Sequence, residues 1–311
     1  MIERRFAPYL LLLMLGAGWG LTQPMTKIAV STGFRPFGLI VWQLTISALV
    51  LGGLMLATGR RPPQTLRGWR MCAVIALVGT VIPNSASYLA ARHLPSGILS
   101  IMLSMVPMLA FPLALAMGND RFAPLRLLGL VCGLGGVALI ALPGSSLPQP
   151  GMAAWLPVAL IGPAFYAVEA NVVATWGTGG NDPIQLLFGA SLVGLVFAVP
   201  MALASGQWID PSPPWGAPVH ALMVSATVSP LVYAGYVWLI GKAGSVFAAQ
   251  VSYLVTGTGV LWAMAILGER YSGWVWAAMA LMLAGLALVR PREAEPPAGA
   301  CETARPGGPL A

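Results

Sequence analysis

Two stretches carry residues that could do chemistry. AFYAVEANVV, residues 164–173, sets one carboxylate, Glu169, in an otherwise apolar run, with Tyr166 one helical turn before it and Asn171 just after. WGLTQPMTK, residues 19–27, brings Trp19, Gln23, Thr26 and Lys27 to one face of a helix, at i, i+4, i+7 and i+8. A lone carboxyl in such surroundings has three uses. It can exchange a proton and so couple proton entry to substrate exit. It can, when ionised, pair with a substrate ammonium. It can also be a protonated structural group satisfied by Tyr166, Asn171 or Gln23. Lys27 could attract a substrate carboxylate, or it could snorkel to an interface on its long stem.

Other chemistries find little footing. His93 and His220 are the only histidines, and neither an HExxH pattern nor a GxSxG elbow or Ser-His-Asp order is present. Cys72, Cys132 and Cys301 are an odd set with no CxxC spacing. Residues 133–138, GLGGVA, fit a dinucleotide fingerprint by letter but lie in an apolar run with no strand before them. No metal and no cofactor is expected. Glu169 as general base of a membrane enzyme acting on lipid is the alternative to transport, but it has no paired His, Asp or metal ligand.

The elements that must position these residues follow from composition. Of 311 residues, 58% are apolar and 8% charged, against roughly 25% charged in soluble domains. Mean hydropathy is +0.81. The apolar character continues from Phe6 to Val289, so this reads as an all-α integral membrane protein. A span needs roughly 20 apolar residues. Charge, Pro and Gly then punctuate ten candidate spans, near 7–29, 36–58, 69–91, 96–117, 124–142, 154–175, 183–205, 217–240, 246–266 and 272–290. The start, MIERRF, belongs to the first span, because no cleavage site followed by a polar domain appears. Residues 292–311 read as a disordered tail rich in Pro, Gly and Ala.

Ten spans put both termini on one side. If that side is the cytoplasm of a cell with an inner membrane, twelve Lys and Arg lie inside and four outside: Lys27, Arg35, Arg92 and Arg270. The net charge of +7 therefore encodes orientation, and nucleic acid is not an expected partner.

The chain also repeats. At an offset of 149, Ser96 meets Ser245, Asp120-Arg121-Phe122 meets Glu269-Arg270-Tyr271, and Gly136 meets Gly285. At a slightly smaller offset Trp19 meets Phe165 and Gln23 meets Glu169. Five spans per half force the second half to cross upside down, giving two inverted five-helix repeats, 1–143 and 152–291, joined by an outer linker 144–151.

GWGLTQPMTKIAV in the first span, LGERYSGWVWAAMALMLAGLALV at the end and the two five-span halves together resemble the EamA family of the drug/metabolite transporter superfamily. The resemblance covers residues 7–290. It implies a ten-helix bundle with a cavity lined by the first, third, fourth, sixth, eighth and ninth helices. It also implies movement of small metabolites, often export of amino acids or their relatives.

Intramembrane polar residues usually face protein or a water-filled cavity, and their spacing marks the same six helices. The candidates for binding substrate are Trp19, Gln23, Asn84, Tyr88, Ser104, Tyr166, Glu169, Tyr233, Tyr236, Gln250 and Tyr253. Glu169 is the candidate for proton coupling. In the second span Gln43, Thr45 and Ser47 are not counted among the cavity stripes, and Pro24, Pro83, Pro107 and Pro230 are expected to bend their helices or bare a carbonyl. The expected protein is a secondary transporter of small metabolites by alternating access, an exporter, with a small-molecule substrate, protons and membrane lipids as its partners.

Overall fold

Among the described residues, 3–289 apart from 145, 150, 211 and 249, this computed structural model is helical throughout, without strands. The expected tail, 292–311, lies outside the described residues. In chain order the helices are α1 (Glu3–Ala29), α2 (Pro36–Ala57), α3 (Leu66–Ile75), a π-helical turn (Ala76–Val81), α4 (Ile82–His93), α5 (Ser96–Leu103), α6 (Met105–Ala116) and α7 (Pro124–Ala141). A 3₁₀ turn (Met152–Trp155) leads into α8 (Leu156–Trp176), followed by α9 (Pro183–Ala204), α10 (Ala217–Ala243), α11 (Ser245–Ala248), α12 (Val251–Leu267) and α13 (Gly273–Leu288).

Local chemistry sets these ends. Asp182 caps α9, accepting from the Ile184 and Gln185 amides at 2.9 and 3.2 Å, while the Gln185 side chain accepts from the Asp182 amide. Pro183 follows at the first helical position, where a missing N–H costs nothing. Thr65 caps α3 through Gly68, and α2 and α7 open on Pro36 and Pro124.

Among the described residues, seven helical segments are long and apolar enough to cross a membrane: 36–57, 66–93, 96–116, 124–141, 152–176, 183–204 and 217–243. α12 and α13 are shorter apolar helices. α1 is 27 residues long but carries Gln23, Lys27 and a charged start, which dilute its hydropathy. The bundle is apolar outside, with Leu49, Leu56, Val131, Val196, Leu231 and Leu261 exposed. Ser96, Ser100, Ser104, Asn171 and Thr256 are buried inside. A water-soluble bundle would show the opposite distribution, so the chain is a multi-pass membrane protein.

The packing partners recur in pairs. α1 lies against α10 and α12, and α8 lies against α4 and α6. α2 lies against α10, and α9 against α3; α2 also packs on α9, α5 on α12 and α7 on α13. The α1–α12 seam is close because glycines line it. A side chain on Gly20 would run into Thr258 and the Gly259 amide, and one on Gly259 into Ser100. Without a hydrophobic drive between helices in lipid, such close approach supplies dispersion contact. Thr258 and Trp262 add hydrogen bonds to the Gly16 and Ala17 carbonyls, at 3.0 and 3.1 Å.

The internal prolines act in different ways. Pro83 cannot donate to the Gly79 carbonyl, and the helix widens there to i→i−5 bonding, the Ile82 amide reaching the Leu77 carbonyl. Pro107 sits just after the break at Ser104, where α5 ends and α6 begins. Pro230 leaves the Ala226 carbonyl without its helical donor, and the Ser47 hydroxyl of α2 donates to it at 3.4 Å. α1 and α10 nevertheless run unbroken through Pro24 and Pro230.

Candidate functional site

The π-helical turn makes room for the lone carboxylate. Gly79 in that turn faces α8, and any Cβ there would occupy the space of the Glu169 carboxyl group. Only glycine fits. Sequence spacing alone had given neither Gly79 nor the turn a role, though a Gly and a Pro four apart inside an apolar span were the available signal.

Beside this carboxylate runs a side-chain network across three elements. Tyr166 of α8 donates to the Asn84 carbonyl oxygen at 2.9 Å, and the Asn84 amide donates to Gln43 Oε1 at 3.1 Å. Tyr88, buried one turn beyond Asn84 on α4, donates to the same Gln43 oxygen at 2.9 Å. Gln43 of α2 is thus the hub, with both lone pairs of its carbonyl in use. Its bonding partners come from α4, so spacing along its own helix could not single it out.

Glu169 is half-buried, and among the described residues it has no ion-pair or hydrogen-bond partner. Two of the donors that could have satisfied it, Tyr166 and Asn171, are committed elsewhere. Tyr166 is spent on Asn84, and Asn171 donates to the Ala110 and Ala167 carbonyls at 3.0 and 2.9 Å, tying α8 to α6. The Tyr166 and Tyr233 hydroxyls lie within electrostatic reach of the carboxylate. Among the described residues, none of Tyr166, Asn171 and Gln23 makes a hydrogen bond to the glutamate.

The other candidates fall elsewhere. Trp19 and Tyr236 pack together, ring centroids 5.6 Å apart, on an apolar cluster of Leu12, Leu15 and Val232 between α1, α10 and α12. Gln23 and Tyr253 are half-buried on α1 and α12. Ser104 is buried at the α5–α6 break and donates to the Ile101 carbonyl, so its hydroxyl serves its own backbone. Gln250 is exposed at the turn before α12.

Lys27 has a structural task that neither reading of it from sequence included. Its ammonium donates to the Ala91 and Leu94 carbonyls at 2.7 and 2.9 Å, closing the C-terminal end of α4. On the other side of the same corner, Glu269 accepts from the Ser96 and Gly97 amides at 2.8 and 3.2 Å, closing the N-terminal end of α5. Tyr271 donates to Glu269; burial and that bond hold its pKa far above the ordinary tyrosine value, so it stays a donor.

Two substitutions test this geometry. Gln43→Leu leaves the Tyr88 hydroxyl and the Asn84 amide without acceptors, and it should cost roughly 2–3 kcal/mol, against about 1 kcal/mol for Tyr88→Phe. Thermal unfolding of detergent-purified protein checks the order; equal losses would count against the hub. Lys27→Met should lower the melting temperature while leaving the KM for transport unchanged. A raised KM at unchanged stability would return Lys27 to the substrate.

Apolar helices enclosing a polar, carboxylate-bearing interior define a multi-pass membrane protein by class. The chain belongs to the EamA-like transporter family, whose pattern matches residues 7–142 and again 154–290. It is 31% identical over 255 residues to the uncharacterized protein PA1977 of Pseudomonas aeruginosa, covering 79% of this chain and 82% of that one. It shares its fold with a protein of known crystal structure at a TM-score of 0.61 and 18% identity, over 91% of this chain and 96% of the other.

Proposed function

We propose that this protein is a secondary transporter that moves small polar or amphipathic metabolites, amino acids or their relatives, out of the cell by alternating access. The observation that carries this reading is a carboxylate with no ion-pair or hydrogen-bond partner among the described residues, seated against Gly79 and within electrostatic reach of Tyr166 and Tyr233. Its open valence suits a ligand that comes and goes, whether a substrate ammonium or a proton. Gln43, Asn84, Tyr88 and Tyr166 form the polar wall beside it, with Trp19, Gln23, Tyr236 and Tyr253 on the helices across the bundle.

The architecture we propose is ten crossings in two inverted halves, 1–143 and 152–291, with 144–151 outside, both termini cytoplasmic and the inner membrane as the site. Two observations support it. The family pattern matches twice, once in each half. The packing pairs also exchange when α1 is swapped for α8, α2 for α9, the α3–α4 segment for α10, and α5–α6 for α12. Halves of opposite sense would let one set of contacts open as the other closes.

Flux is the test. The purified chain in liposomes loaded with a panel of amino acids and amines should show counterflow of at least one of them. Binding without flux, or conversion of lipid to a product, would overturn the reading.

A further inference from the structure

A second polar feature lies apart from the carboxylate, where α3 begins and α8 ends. A cleft of about 500 Å³ is lined by Arg67, Arg70, Met71, Val74, Thr175 and Trp176. Arg67 and Arg70 sit one turn apart on one face of α3. Arg67 touches the Trp176 carbonyl at 3.5 Å, and among the described residues neither guanidinium meets a carboxylate. The acids that could have served are taken: Asp182 pairs with Arg60 at 3.0 Å, and Asp120 with Arg126. Two cations in the opening turns of a helix also oppose its dipole. The arrangement is unfavourable by itself and becomes favourable once an anion enters.

The surroundings say what kind of anion. The cleft lies at the ends of two spanning segments, 66–93 and 152–176, where the apolar run meets the membrane surface. Trp176 is 53% exposed and Leu66 is 76% exposed there, so the charged pocket continues into an apolar outer face. Indole rings favour this depth, and basic pockets between helices at this depth suit lipid headgroups. We propose that this cleft binds an anionic phospholipid, Arg67 and Arg70 holding the phosphate while Met71, Val74 and Trp176 line the start of the acyl chains.

The experiment uses the full chain in neutral detergent, with phosphatidylglycerol, phosphatidylcholine or inorganic phosphate added. Phosphatidylglycerol should raise the melting temperature of the wild type and of an Arg61→Gln/Arg121→Gln control, which loses the same charge outside the cleft. The Arg67→Gln/Arg70→Gln variant should lose at least half of that shift, and the other two additives should give none. A full shift in this variant, or an equal shift from inorganic phosphate, would overturn the proposal. Should the variant fail to fold, phosphatidylglycerol with brominated chains should quench the wild type's fluorescence, less so after Trp176→Phe. Quenching unchanged by that substitution would equally overturn it.

Discussion

Glu169→Gln should lower transport driven by a pH gradient by roughly 100-fold or more, the scale on which loss of a proton-transferring group acts, while exchange of substrate across the membrane continues. The substitution keeps the shape of the side chain, so the packing against Gly79 is retained. No ion pair or hydrogen bond among the described residues is broken, because the carboxylate makes none. A loss of function would therefore not be a loss of fold, and an unchanged melting temperature is part of the expected result. Proteoliposomes with and without an imposed pH difference provide the measurement. Undiminished gradient-driven flux would remove the proton-coupling role. Loss of exchange as well, greater for amines than for neutral substrates, would instead assign the carboxylate to holding an ammonium.

The second large effect concerns the seam rather than the site. Gly20→Val puts a branched side chain where the Thr258 side chain and the Gly259 backbone already stand. Overpacking of this kind costs typically 1–3 kcal/mol. Separating the helices also endangers the Thr258 bond to the Gly16 carbonyl and the Trp262 bond to Ala17. The expected outcome is a marked fall in both the yield of folded protein and its melting temperature. Gly53→Ala is the control, since Gly53 is exposed within α2 with nothing near its absent Cβ; it should be neutral or slightly stabilising through helix propensity. If both variants behaved alike in thermal unfolding, the close approach of α1 and α12 would carry no energetic weight.

These cases show what could be read from the chain in advance. The helical segments were legible because hydropathy, proline and glycine act locally: the expected second span, 36–58, is observed as Pro36–Ala57, and the expected seventh, 183–205, as Pro183–Ala204. Asn84, Tyr88 and Tyr166 were legible as polar residues on one face, and they do meet. Gln43 was not, since its partners stand on another helix and spacing along its own says nothing about them. The task of Lys27 was hidden for the same reason. A cap needs the neighbouring helix end to be in place, and only tertiary packing brings Ala91 and Leu94 to the ammonium. The widening at 76–81 was half visible: Pro83 announced a lost bond, but its outcome as a pocket for Glu169 depended on α8.

The corner between α4 and α5 has a kinetic consequence. Turns at a membrane edge ordinarily trade their amide hydrogens with solvent quickly, because nothing holds their backbone shut. Here the first two amides of α5 lie under a carboxylate that is itself held by Tyr271, while the ammonium of Lys27 fastens the carbonyls just before them. The Ser96 and Gly97 amides should therefore keep their hydrogens far longer than amides of an exposed turn that make no such bonds. Their exchange would then report how often the grip of Glu269 is released, a clock for motion at this end of the protein that needs no substrate.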